Sequence, residues 1–141
     1  MGLSMSLTKK HYIGEEERET LKITGVNNLK LERVSYIIEE VGKLWKVNAV
    51  HRWFVEHVQD GQDDCKSYYV SPEKLQELLH TVNAVIADPR LARQLLPTMY
   101  GQFFGGTAYD ENYFYGLRQA KEALTAALAD ESCDIEYSSS W

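Results

Sequence analysis

The segment 44–59 constrains the fold most, because its apolar residues surround the axis of a helix and do not form a single stripe. Trp45 and Val55 lie on one side of that helix, and Val50 and Phe54 lie on another. A helix that is apolar nearly all round is usually buried in the middle of a domain. We therefore predict a central buried helix over residues 44–59, covered by other elements on several sides.

The remaining chain shows the signals of both helices and short strands. Apolar residues recur at three- and four-residue steps in three further segments, which predicts helices there. Segments of aromatic, β-branched or alternating character predict strands. The predicted helices cover 29–41, 72–87 after the cap Ser71, and the segment that follows a cap at Thr107 or Asp110; the predicted strands cover 67–70 and an edge strand over 134–138.

These elements predict an α+β fold that is mainly helical, with the central buried helix and a small antiparallel sheet. A chain of 141 residues is long enough for one domain with its own core. We assign residues 27–141 to that domain. Residues 1–26 are polar and lack helical periodicity, so we predict a partly extended or disordered N-terminal segment there.

Charge and cysteine content exclude several classes of function. The net charge of −6 lacks the basic excess of a nucleic-acid-binding protein, and no apolar run is long enough to cross a membrane. Two distant cysteines in no zinc-type spacing favour a reducing compartment such as the cytoplasm. The four histidines form no His-Glu-x-x-His motif. The sequence therefore predicts neither a metal site nor a bound cofactor.

The first candidate site lies on the central helix, where Asn48 and His51 are three residues apart and so share one face. Asn48 points in nearly the same direction as the apolar Trp45 and Val55, so its amide needs hydrogen-bond partners. One interpretation is a satisfied core amide beside a histidine bonded to a backbone carbonyl. The other is a pair that faces a ligand, with His51 carrying a proton.

The second candidate is the acidic loop over residues 59–65, which includes Gln59. If it folds toward the helix, His51 could act as a base with Asp63 or Asp64, and Cys65 could complete a nucleophilic set. That arrangement would make the protein a small hydrolase or transferase. A solvated acidic turn after the helix explains the same residues without any chemistry.

The third candidate is the glycine- and aromatic-rich stretch 101–115, which includes Phe104 and Tyr109. A phosphate-binding P-loop needs lysine before its Ser or Thr, and Gly106 occupies that position. The glycines are better explained as positions where a turn takes a positive φ or two backbones approach closely. A nest of backbone amides that binds an anion at the start of the last helix is the alternative. The aromatic residues exceed what one core stripe needs; core packing explains most of them, and some are expected to face a ligand or partner.

A set of short strings along the chain forms a recognisable pattern: LWKVNAVHRWFV at 44–55, VQDG at 58–61, DDC at 63–65, LLPT at 95–98, FFGGT at 103–107, YDE at 109–111 and YSSSW at 137–141. Together they resemble a group of small uncharacterised proteins encoded by tailed phages and prophages. The resemblance covers about residues 36–141 and implies a bacterial cytoplasm, where phage accessory proteins act on host defence or metabolism. No activity comes with it.

Together these observations predict a non-catalytic accessory protein of phage or prophage type. Its expected partner is a host protein or a small anionic ligand, with neither nucleic acid nor a membrane involved, and self-association is left open. The residues expected to bind that partner are Asn48, His51, Gln59, Phe104 and Tyr109. The hydrolase or transferase that uses His51 is the alternative.

Overall fold

The protein, described here from a computed structural model that covers residues 2–130 and 133–141, combines a four-stranded antiparallel sheet with helices. The predicted α+β class and antiparallel sheet are confirmed. With 43% of residues helical and 21% in strands, "mainly helical" overstates the helical share. In chain order the elements are β1 (Ser4–Tyr12), α1 (Glu15–Thr20), a 3-10 turn (Leu31–Arg33), β2 (Tyr36–Trp45), α2 (Asn48–His57), β3 (Tyr68–Val70), α3 (Pro72–Ala87), a second 3-10 turn (Pro89–Leu91), α4 (Ala92–Leu95), α5 (Glu111–Leu128) and β4 (Asp134–Ser140).

The strand order is β2-β1-β4-β3, so the first and last strands of the chain form the middle of the sheet. The sequence places 1–26 outside the domain, whereas β1 pairs with β2 on one side and with β4 on the other. β4 is likewise an interior strand and not the predicted edge strand, because it pairs with β1 and β3. Residues 21–24, whose alternation suggests a strand, lie outside the sheet.

The first half of strand β1 alternates between buried apolar residues and more exposed polar residues. Leu3, Met5 and Leu7 are buried, while Ser4, Ser6 and Thr8, each one residue further along, are half-buried on the opposite side. Alternating apolar and polar residues are what a strand needs when one face of its sheet packs on a core. The strand therefore forms where the sequence composition alone indicates a polar segment.

The helix predicted over 29–41 does not form: a 3-10 turn takes residues 31–33, and β2 takes the part from Tyr36 onward. This strand carries a bulge, since Leu7 pairs with Gly42 but Thr8 pairs with Glu40. A bulge adds one residue to a strand and shifts which of its side chains face inward. The extra residue breaks the two-residue alternation between Glu40 and Gly42, and the apolar Leu31 and Val34, which add to the helix-like spacing, precede the strand.

Helices α3 and α5 agree with their predicted positions, whereas α2 takes only residues 48–57 of the helix predicted over 44–59. α2 is buried through most of its length, as a helix apolar on several sides must be. The side chain of Ser71 accepts a hydrogen bond from the Lys74 amide at the start of α3, and that of Asp110 accepts from the Tyr113 amide at the start of α5. These caps satisfy backbone groups that a helix start leaves unpaired.

Helix α5 packs directly on the sheet at Gly42. A Cβ atom built at Gly42 would lie 2.5 Å from the Cβ of Ala123, so the backbone of β2 meets α5 where both side chains are minimal. Within residues 2–130 and 133–141, no helix has both the length and the apolar character that spanning a membrane requires.

Candidate functional site

Asn48, the first residue of α2, is buried and bound entirely to backbone groups. Its Nδ2 donates to the carbonyl oxygens of Phe104 and Gly106, at 3.0 and 2.9 Å, and its Oδ1 accepts from the Met99 amide at 3.0 Å. These bonds use both amide hydrogens and one acceptor position. Asn48 thus fastens the loop between α4 and α5 to the start of the central helix.

His51 is fully buried, with 0% of its side chain exposed, and both ring nitrogens are engaged. The Tyr137 hydroxyl lies 2.6 Å from Nδ1, and the Asp63 carboxylate lies 3.0 Å from Nε2. Asp63 also accepts a hydrogen bond from the Trp141 indole at 3.1 Å. The loop after α2 and the last strand are therefore both tied to one histidine.

Burial determines the protonation of this network. Desolvation lowers the pKa of His51 and outweighs the opposing effect of the Asp63 carboxylate, so the ring is neutral near pH 7. Burial, reinforced by the charge of Asp63, holds the pKa of Tyr137 well above its usual value. Since a carboxylate only accepts, Nε2–H donates to Asp63 and the Tyr137 hydroxyl donates to Nδ1.

The predicted catalytic set is therefore not assembled. Of the three predicted partners, the described contacts of His51 include Asp63 alone. The Asp64 carboxylate instead accepts from the Tyr68 hydroxyl at 2.7 Å, which lowers the pKa of Asp64, and Cys65 is exposed. That His51 faces a ligand or substrate stays a prediction; in this structure its ring lies inside the core, with none of its side chain exposed.

The other predicted binding residues also make contacts within the protein; they are Gln59, Phe104 and Tyr109. Gln59 is buried, and its Nε2 donates to the Gln62 carbonyl at 2.6 Å, which closes the turn after α2. Phe104 is buried with its ring edge-on to His51, at 5.5 Å between centroids. Tyr109 lies half-buried, and the Thr98 amide donates to its hydroxyl at 3.2 Å.

An open cleft of about 440 Å³ lies beside this buried network. Of the five residues predicted to bind a partner, Asn48 lines it; His51, Gln59, Phe104 and Tyr109 do not. Its walls come from the end of β2, the first turn of α2, the loop before α5 and the first turns of α5. The lining residues are Trp45, Lys46, Val47, Asn48, Ala49, Thr98, Gly105, Gly106, Ala108, Asp110, Asn112, Tyr113, Tyr115, Gly116, Leu117 and Gln119.

The cleft holds two exposed aromatic residues, of which Tyr115 belongs to the aromatic-rich stretch 101–115 and Trp45 lies outside the predicted sites. Trp45 is 54% exposed and Tyr115 is 56% exposed. The sequence places Trp45 on the buried central helix, but that helix begins at Asn48 and Trp45 ends β2. The left-handed backbone of Lys46, with a φ of 55°, separates the two elements. A lysine in that conformation is an irregularity that the sequence does not reveal.

The start of α2 gives one end of the cleft a positive potential. Val47 precedes the helix and supplies no side-chain cap, and its carbonyl accepts from the amides of Val50 and His51. The amides of Asn48 and Ala49 are then the first-turn donors left for an outside acceptor. Lys46 adds a full positive charge, with its Nζ 5.5 Å from the centroid of the Trp45 ring.

Comparison of the chain with family models, curated proteins and solved structures finds no significant match. The function is therefore argued from the geometry of the cleft and of the residues around it.

Proposed function

We propose that this protein is a non-catalytic binding protein whose ligand is a small anion carrying a flat ring, held in the cleft of about 440 Å³. One observation carries the proposal: the uncapped start of α2, Lys46 and two exposed aromatic rings line the same cleft. Clefts of a few hundred Å³ with an apolar lining and few polar groups are the usual form of a small-molecule site.

The charge of the ligand follows from the α2 end of the cleft. The start of a helix favours anions because its free amides and its dipole both point positive charge outward. Lys46 strengthens that field, and Gly105 and Gly106 leave room for an anionic group to approach the backbone. Asp110 lines the same cleft, and its carboxylate repels negative charge. The anionic group of the ligand should therefore lie at the α2 end, and hydrogen-bond donors of the ligand should face Asp110.

The flat ring follows from Trp45 and Tyr115. More than half of each side chain is exposed, although large aromatic surfaces gain free energy by leaving water. Stacking of an aromatic ring on such a side chain contributes about 1–3 kcal/mol for nucleobases. A mononucleotide has all three required groups: an anionic phosphate, a flat base, and a sugar whose hydroxyl groups can donate hydrogen bonds.

The proposed biological setting is that of a phage or prophage accessory protein in a bacterial cytoplasm, and it is supported by the sequence resemblance alone. A host protein is the other partner that the sequence suggests, but a concave cleft with a charged end favours a small molecule. The hydrolase or transferase alternative requires His51 to reach a substrate. The complete burial of that ring weighs against it.

Titration with AMP, adenosine and inorganic phosphate, followed by amide chemical shifts in NMR spectra, tests the proposal. We expect AMP to shift the amides of Asn48, Ala49 and Gly105 and to bind more tightly than either of its two halves. Lys46→Met should weaken AMP binding about tenfold, which corresponds to about 1.4 kcal/mol.

Lys43→Met is the matched control, because Lys43 is exposed on β2, three residues before Lys46, and lies outside the cleft. It should leave AMP binding unchanged. The proposal fails if millimolar AMP shifts no amide of the cleft, or if the two lysine variants bind AMP equally well.

A further inference from the structure

Three potential metal ligands converge at the far end of β1. The His11 Nδ1 lies 3.2 Å from the Cys133 Sγ, and a carboxylate oxygen of Asp130 lies 3.5 Å from the same sulfur. All three ligand atoms lie within 4.8 Å of one another. Neither the cleft nor the His51 network uses any of these residues.

The sheet brings these residues together from opposite ends of the sequence. β1 and β4 are antiparallel neighbours, and their last pair is Lys10 with Asp134. One step further along the same register sets Cys133 opposite His11. Asp130 follows the end of α5 and is three residues before Cys133. The sequence predicts no metal site because neither cysteine belongs to a zinc-type motif; this grouping arises from strand pairing.

The distances match those around a tetrahedral zinc ion. With Zn–S near 2.3 Å and Zn–N or Zn–O near 2.0–2.2 Å, tetrahedral angles set the sulfur about 3.5 Å from the nitrogen and about 3.6 Å from the oxygen. The observed 3.2 and 3.5 Å differ from these by a few tenths of an ångström.

Glu39 prepares His11 for this role. Its Oε1 lies 3.1 Å from the His11 Nε2, the nitrogen that faces away from the sulfur. A carboxylate there holds the proton on Nε2, so Nδ1 keeps its lone pair for a metal ion. Metal-bound histidines almost always donate their second nitrogen to such a partner.

We propose that His11, Asp130 and Cys133 bind a divalent transition-metal ion of the zinc type, with a further coordination position open to water. A thiolate and an imidazole select zinc over magnesium or calcium, which prefer oxygen ligands. Binding releases the thiol proton of Cys133. The site is independent of the proposed ligand cleft. Trp45 of the cleft pairs with Ser4 at the start of β1, and His11 lies about 23 Å further along that strand.

Titration of the untagged full chain with Co²⁺ tests this site, since cobalt replaces zinc and a thiolate ligand gives a charge-transfer band. We expect the band in the wild-type protein and its displacement by Zn²⁺. Cys133→Ser should abolish the band, whereas Cys65→Ser, which changes the other and exposed cysteine, should keep it.

Glu39→Gln provides a test that leaves the three ligands in place. It should weaken zinc binding about 10–100-fold, as other changes to the partner of a metal-bound histidine do. Glu40→Gln is its control, because Glu40 accepts from Ser6 and not from His11. A wild-type protein without the cobalt band, a band that survives Cys133→Ser, or equal zinc affinity in the two glutamine variants would each overturn the proposal.

Discussion

Replacing Asn48 with alanine removes the three hydrogen bonds that hold the loop between α4 and α5 against the central helix. The carbonyls of Phe104 and Gly106 and the amide of Met99 lose their partners at once. Asn48 is 4% exposed but lines the open cleft, so water can replace its hydrogen bonds only in part. The substitution should therefore lower both the stability of the domain and the order of one wall of the cleft.

The size of the effect follows from these contacts. A buried polar group that loses its partner costs about 1–3 kcal/mol, and the three groups here are buried to different degrees. Two of the bonds are only partly buried, so their groups regain some hydration. Alanine's better helix propensity offsets about 0.5 kcal/mol. We expect Asn48→Ala to lower the free energy of unfolding by about 3 kcal/mol, or Tm by about 10 °C.

Urea denaturation followed by circular dichroism measures this loss, since the free energy of unfolding varies linearly with urea concentration. Asn112→Ala is the matched control, because Asn112 is exposed on α5 and lines the same cleft. That change should stay within about 0.5 kcal/mol of the wild type. If Asn48→Ala also stays within that range, the claim that this amide anchors the loop is refuted.

Three further changes test other parts of the molecule. Tyr137→Phe keeps the ring stack on Phe54 but removes the donor to the buried His51, so urea denaturation should show a loss of about 1–3 kcal/mol; an unchanged stability would contradict the network. The pKa of His51 is lowered in the folded protein, so below about pH 6.5 the histidine binds a proton in the unfolded chain but stays neutral in the folded one. The free energy of unfolding should therefore fall by up to about 1.4 kcal/mol per pH unit as pH drops below 6.5, and His51→Gln should remove this contribution. Gly42→Ala should cost about 1–3 kcal/mol by overlap with Ala123. Ala123→Gly, which itself costs about 1 kcal/mol within a helix, should cost less in the Gly42→Ala protein than in the wild type; equal costs would contradict the close packing of α5 on β2.

The sequence predicts the helices of this fold better than its sheet. α3 and α5 carry apolar stripes and side-chain caps, which are local signals. In β1 the inward positions after Leu7 are Lys9 and His11, so the apolar alternation stops halfway along the strand. In β2 the bulge shifts the alternation as well. Both strands are specified by pairing with distant residues, which a local pattern cannot contain.

The candidate sites were only partly predictable for a similar reason. Asn48 and His51 stand out as polar residues on an apolar helix, and the structure shows that both are satisfied within the core. Trp45 looks like core in the sequence because the end of β2 and the start of α2 are indistinguishable there. Asp130 and Cys133, the neighbours of His11, lie about 120 residues away in the sequence. They can be recognised as neighbours only once the register between β1 and β4 is known.

The central position of β1 has a consequence for how the chain reaches its native state. β1 leaves the ribosome first and can pair early with β2, but its other partner, β4, is synthesised last. Until then one edge of β1 is open, and β3 lacks the strand it pairs with in the sheet. Pairings between the ends of a chain form slowly, and open strand edges invite association with other molecules. Protection of the nascent chain during synthesis should therefore govern the yield of folded protein.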